Sequence, residues 1–111
     1  MNTYMDDVCK LASFGELDDL NKARERGIDL DGKDDCGFTP LLWAARNGQD
    51  HVLNFLIENG SKLDAASFGG LSSLHHACNK NESGAIKILV KAKANVNALD
   101  ENGDTPLVST V

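Results

Sequence analysis

The stretch Gly37-Phe38-Thr39-Pro40-Leu41-Leu42-Trp43-Ala44-Ala45-Arg46-Asn47-Gly48 returns at a fixed interval. Thirty-three residues on stands Gly70-Leu71-Ser72-Ser73-Leu74-His75-His76-Ala77-Cys78, and 33 further on Gly103-Asp104-Thr105-Pro106-Leu107. Such a period means stacked supersecondary units, because one unit cannot cover its own apolar face and needs its neighbours to complete the core. Within the stretch, Thr39 stands where an N-cap hydroxyl accepts from first-turn amides. Pro40 takes the first helical position, where its missing N–H costs nothing. Gly48 takes the left-handed position that ends the helix.

In chain order, residues 1–7 are polar and expected to fray. From Val8 a degraded unit is already running. Val8, Leu11 and Ala12 form one apolar stripe at helical spacing, and Leu17, Leu20 and Ala23 the next, with Gly15 and Gly27 as punctuation. Lys22, Arg24 and Glu25 give its second helix the polar outer face of a capping repeat. Leu30 is the inward residue of the first connector. The best unit is 35–65, whose second helix, roughly 50–59, buries Val52, Leu53, Leu56 and Ile57. Leu63 and Ala65 follow on an extended arm. The unit at 66–98 has weaker signals: Ser72-Ser73 replaces Thr-Pro, and Asn81, which tolerates left-handed geometry, replaces Gly48. Ile86, Leu89 and Val90 supply its second-helix core, and Ala94, Val96 and Ala98 its arm. A last unit opens at Leu99, and Thr110 and Val111 reach the places of Ala44 and Ala45.

Gly37, Thr39-Pro40-Leu41, Ala44-Ala45, Gly48, Gly60 and Val96-Asn97-Ala98 resemble the framework of tandem ankyrin repeats. The resemblance covers 35–98 closely and 8–32 and 99–107 in part. It implies an all-α repeat solenoid, with a β-hairpin finger and two antiparallel helices per repeat. The chain 1–111 then reads as one ankyrin-repeat domain: a degraded N-terminal capping repeat at 8–32, full repeats at 35–65 and 66–98, and a partial C-terminal repeat at 99–111. Leu42 departs from the family histidine, which His75 keeps. The face of 74–93 lacks an outer neighbour. Three readings stand: further repeats beyond the given sequence, self-association at this face, or a tail folded over it.

Composition narrows the function. A net charge of −6 and a pI near 4.8 argue against nucleic acid as partner, which needs clustered Lys and Arg. No apolar run reaches the roughly 20 residues of a membrane-spanning helix, and the first residues lack a secretory pattern. Cys9, Cys36 and Cys78 are an odd, irregular set and suit a reducing compartment, so a cytoplasmic or nuclear setting is expected.

Candidate chemistry is thin. Asp29-Leu30-Asp31-Gly32-Lys33-Asp34 hints at a calcium loop, but that loop needs glycine sixth and glutamate twelfth, where this chain has Asp34 and Pro40. Asp100 opens a second acidic run that fails likewise. His75, His76 and Cys78 suggest a metal or a Cys-His pair. The register explains each otherwise: His75 as the helix-start histidine, Cys78 as a small buried hydrophobe, and His76 in the column of Trp43. No catalytic residue, metal or cofactor is assigned. Ser109-Thr110-Val111 has the form of a PDZ-binding ending, a three-residue pattern that arises often by chance.

The resemblance implies that finger tips and inner helices form a concave surface for a protein partner. By register that surface holds Asp35, Cys36, Phe38, Arg46 and Asn47, then Phe68, Leu71, Asn79 and Lys80, with Phe14, Glu101 and Asp104 from the partial repeats. Phe38 and Phe68 read either as exposed interface anchors or as packing between fingers. Trp43 reads as core. The implied role is a scaffold or stoichiometric inhibitor. The rivals are a regulatory arm of a longer enzyme and a structural spacer.

Overall fold

The computed structural model describes residues 3–106, with side chains from Val8 onward. Six helices lie in order among them: α1 (Thr3–Phe14), α2 (Leu17–Glu25), α3 (Pro40–Arg46), α4 (Asp50–Glu58), α5 (Ser73–Asn79) and α6 (Ser83–Lys91). They form three antiparallel pairs stacked along a body of 40 × 26 × 20 Å. The odd-numbered helices pack on one another as an inner row, and the even-numbered ones lie outside. The core runs through all three pairs, with Val8, Ala12, Leu20, Leu41, Leu53, Leu56, Leu74 and Leu89 at its centre.

The repeat is legible in the backbone. Each tight turn between inner and outer helix closes by one amide: Glu16 to the Leu11 carbonyl, Gln49 to Ala44 and Glu82 to Ala77, at 2.8, 2.9 and 2.9 Å. This is the bond that satisfies orphan carbonyls at a helix end with a left-handed residue. Gly15, Gly48 and Asn81 supply that residue. At Gly48 space matters as well as φ. A Cβ there would run into the Glu82 carboxylate of the next repeat, as one on Gly15 would meet Gln49 at 2.5 Å. Asn81 is exposed and tolerated. Gly27 and Gly60 end the outer helices in open space, so only φ is demanded there, and Lys93 meets the same demand at φ 69 in the third pair.

Both inner-helix starts are capped as their residues dictate. Thr39 Oγ1 accepts from the Leu42 amide at 3.3 Å, ahead of Pro40. Ser72 and His75 form a reciprocal capping box. The expected fraying of residues 1–7 gives way to helix from Thr3. Asp6 and Asp7 stand where Thr39 and Pro40 begin α3, and α1 runs through both. Val90, expected in the core, is 45% exposed, whereas Ala85 and Leu89 are buried. Val90 occupies the register position of Ile57, but no described element lies outside α6 to cover it. Cys9, missed as core, is fully buried.

The connectors end in β-turns rather than strands. An isolated antiparallel bridge joins Ala66 and Ser72. Turns at 34–37, 67–70 and 100–103 are closed by Gly37, Gly70 and Gly103 amides to Asp34, Ser67 and Asp100 carbonyls. The Asp34 carboxylate also accepts from the Cys36 and Phe38 amides, and that of Asp100 from Asn102 and Asp104. These are Asx turns, in which an aspartate side chain stands in for backbone. The tail positions Thr110 and Val111, and the Ser109-Thr110-Val111 ending, lie outside the described residues.

Candidate functional site

A shallow groove of about 290 Å³ opens between the inner row and the first finger. α1 supplies Lys10, Ser13 and Phe14, the finger supplies Asp34, Asp35 and Cys36, and Trp43 stands on α3. Phe14 is 71% exposed, far beyond what a solvated aromatic ring needs for folding. Behind the finger tip, the Phe68 ring of the second finger fills the space over Gly37, where a Cβ would meet it at 2.9 Å, and is itself 72% exposed. Phe14, Asp35 and Cys36 thus line the groove together, and Phe68 lies against Gly37, next in sequence to Cys36.

Of the other expected partner residues, Phe38, Arg46, Asn47 and Leu71 also make contacts within the fold. Phe38 is half-buried. Its ring stacks on Trp43 at 4.4 Å between centroids and meets His76 of the next repeat at 4.7 Å. It packs, but on rings of the inner helices α3 and α5 rather than on an adjacent finger as one of its two readings had it. Asn47 donates to Ser13 Oγ and O at 2.7 and 3.1 Å, and Gln49 adds a 3.0 Å bond to the Ser13 carbonyl, so these amides cap α1 from the following repeat. Arg46 lies over the Trp43 ring at 5.7 Å. Leu71 is partly buried, and its carbonyl accepts from the Ser67 amide. Asn79 and Lys80 are exposed at the end of α5, and Glu101 and Asp104 on the third finger. The Glu101 amide bonds the Gly69 carbonyl at 2.9 Å and joins that finger to the second.

Trp43 is half-buried rather than core. Its indole N–H donates to Asp34 at 2.7 Å, and its ring forms part of the groove wall. Its column supplies Lys10 in the first repeat and His76 in the third. That register was the signal by which Lys10 could have been found as a groove residue. In the third repeat Ser67 replaces Asp34, and its Oγ lies 2.8 Å from His76 Nε2. Burial, with the Arg46 guanidinium and the His75 ring nearby, lowers His76 to about 4, so it is neutral at pH 7.

The histidine and cysteine chemistry resolves into structure. His75 Nδ1 accepts from the Ser72 amide at 3.1 Å, which leaves Nε2 to donate to the Asp104 carbonyl at 2.8 Å. The cap and the third finger are thereby tied through one ring. In the first repeat Cys9 occupies that column, and its thiol lies 3.5 Å from the Phe38 carbonyl. Cys78 is buried, and burial pushes its thiol pKa up, away from the thiolate a nucleophile needs. No group of three His, Cys, Asp or Glu among the described residues could hold a metal ion. None of the described helices is long and apolar enough to cross a membrane.

Comparison with known proteins matches residues 8–57 to the family described as "Ankyrin repeats (many copies)" and residues 69–101 to "Ankyrin repeat". The chain is 40% identical over 73 residues to "Ankyrin repeat family A protein 2" of Homo sapiens, covering 66% of this chain and 23% of that protein. It is 35% identical over 96 residues to "Ankyrin repeat protein OPG189" of Variola virus, covering 85% and 17%. It is 33% identical over 89 residues to "Probable serine/threonine-protein kinase DDB_G0278535" of Dictyostelium discoideum, covering 76% and 10%. The chain thus spans less than a quarter of the length of each.

Proposed function

The chain belongs to the ankyrin-repeat family, whose repeats are generally protein–protein interaction modules, and from that premise we propose that it binds a partner protein through the groove between its fingers and inner helices. The observation that carries this reading is the pair of protruding rings, Phe14 and Phe68, at 71% and 72% exposure beside an otherwise well-packed core. Large aromatic side chains that give the fold little are what interface anchors look like. Scaffold and stoichiometric inhibitor are both served by such a surface, in the cytoplasm or nucleus, with no cofactor.

The test places a photo-crosslinking phenylalanine analogue at position 68 and, separately, at Asn54, an exposed residue of α4 on the outer row. Crosslinks to a partner in native extract from 68 and none from 54 are expected. Crosslinks from 54 alone move binding to the outer helices, and none from either favours a structural spacer. A second reading makes the chain the interaction arm of a longer protein. Its support is the small share of each relative that the chain spans, one of them a probable kinase.

A further inference from the structure

Charge is segregated between the fingers with their connectors and the inner helices, and Asp34, Asp35 and Lys10 carry that difference into the groove itself. The connectors and fingers, 28–39, 61–72 and 94–106, hold eight carboxylates against Lys33 and Lys62, an excess equal to the whole chain's formal −6. Lys33 is exposed, with its ammonium donating to the Ala66 carbonyl of the second finger at 2.9 Å. Asp35, Asp64, Glu101 and Asp104 are exposed. The inner helices have the other sign: from Val8 onward they and their C-caps carry Lys10, Arg46 and Lys80, and the nearest carboxylates, Glu16 and Glu82, follow at the starts of the outer helices, Glu82 beside Gly48. Phe14 and Trp43 line the groove, and Phe68 lies against Gly37, next in sequence to the lining residue Cys36.

We propose that the occupant of this groove is an extended protein segment that alternates cationic and apolar side chains, its cations on the finger row and its apolar groups against Phe14 and Phe68. This rests on the groove-binding reading above and names the class of partner. A cation approaching the surface is attracted by the fingers and repelled by Lys10, Arg46 and Lys80, so the field sets the side on which each kind of side chain lies. The rings supply the desolvated contact that charge alone does not provide, since exposed ion pairs contribute little individually. An anionic segment would face the opposite field along the whole finger row.

The test uses three synthetic peptides: a short repeat of glycine-arginine-leucine, its counterpart with glutamate for arginine, and its counterpart with glycine for leucine. Trp43, the only tryptophan and part of the groove wall, reports binding by fluorescence, and backbone amide shifts locate it. The arginine-leucine peptide should bind at the groove, more weakly as salt rises, and tighter than either counterpart. Asp35→Asn/Glu101→Gln/Asp104→Asn should weaken it by about tenfold, from several exposed pairs of modest strength. That variant leaves Asp34 and Asp100 alone, because their carboxylates fold the turns. If the arginine and glutamate peptides bind the groove equally, or the variant binds undiminished, the cationic reading falls while groove binding stands. Shifts confined to α2, α4 and α6 sink both. Absence of binding by every peptide overturns the cationic proposal, and the crosslinking experiment then decides groove binding by itself.

Discussion

His76 Nε2 lies 2.8 Å from Ser67 Oγ, at the positions that Trp43 and Asp34 hold one repeat earlier with a 2.7 Å bond. An anionic acceptor has become a hydroxyl, and an indole donor has become a titratable ring, in a column where Phe38 touches both rings. The hydroxyl can serve a neutral imidazole but gives little support to an imidazolium beside Arg46. Geometry and charge therefore agree on a neutral His76.

This predicts an acid limb to stability. In the unfolded chain a histidine titrates near 6.5, and in the folded protein His76 titrates at about 4. Between those values the unfolded state binds more protons, so stability is full above 6.5 and falls as pH drops toward 4. The slope from this group is at most about 1.4 kcal/mol per pH unit. Urea unfolding across that window should show a limb that His76→Phe flattens. An unchanged limb would assign it to the carboxylates instead.

Ser73 predicts a stabilising substitution. Its Oγ is buried without a hydrogen-bond partner, at the helix position that Pro40 and Pro106 occupy in the neighbouring repeats. Ser72 before it is already extended, at φ −78 and ψ 174, as a residue preceding proline must be. Ser73→Pro should raise stability by about 1 kcal/mol, by removing an unsatisfied hydroxyl and by restricting the unfolded chain. Chemical denaturation of the variant beside the parent checks it.

The left-handed positions separate into two kinds. At Gly48 the Glu82 carboxylate, the end of a flexible side chain, would have to move aside in addition to the demand of φ 67, so Gly48→Asn should cost about 0.5–1 kcal/mol even though Asn81 holds the same conformation. At Lys93 only φ is at issue, and Lys93→Gly should stabilise by about 0.5–1 kcal/mol. Thermal melts of the two variants should move in opposite directions. Equal, small effects would mean that Glu82 swings aside freely.

The framework was legible because its signals are local. The Thr39 cap, the Pro40 start, the left-handed Gly48 and Asn81, and the His75 contact to its own helix start all lie within a few residues of what they control. What was not legible depends on the neighbouring repeat. Phe38 is half-buried because His76, 38 residues on, meets its ring, and Asn47 is engaged because Ser13 lies beneath it. Val90 shares the spacing of Ile57, and what distinguishes them is that no described element packs outside α6. Lys93 gave no sign of a left-handed backbone, since lysine carries no preference for it. At the groove, Phe14 and Phe68 emerged from the register, whereas Lys10 required following the Trp43 column back through a degraded repeat.

The two finger aromatics should therefore respond differently to the same truncation. Phe38 stacks on Trp43 and meets the His76 ring at a tilt, so Phe38→Ala removes ring contacts on two repeats and opens a void between them. A loss of about 2–4 kcal/mol is expected, the range for truncating a packed aromatic that is not fully enclosed. Phe68 is 72% exposed and rests over Gly37, so Phe68→Ala should change stability by no more than about 0.5 kcal/mol. Binding should show the reverse order once both variants are compared under conditions where each is folded. Partner affinity should fall at least about tenfold for Phe68→Ala, as for a truncated interface anchor. For Phe38→Ala it should change less, through the altered seat of Trp43 alone. Guanidinium unfolding and titration of the crosslinked partner measure the two effects independently. A Phe68→Ala protein that is markedly destabilised yet binds normally would return that ring to the core and leave Phe14 as the exposed anchor of the groove.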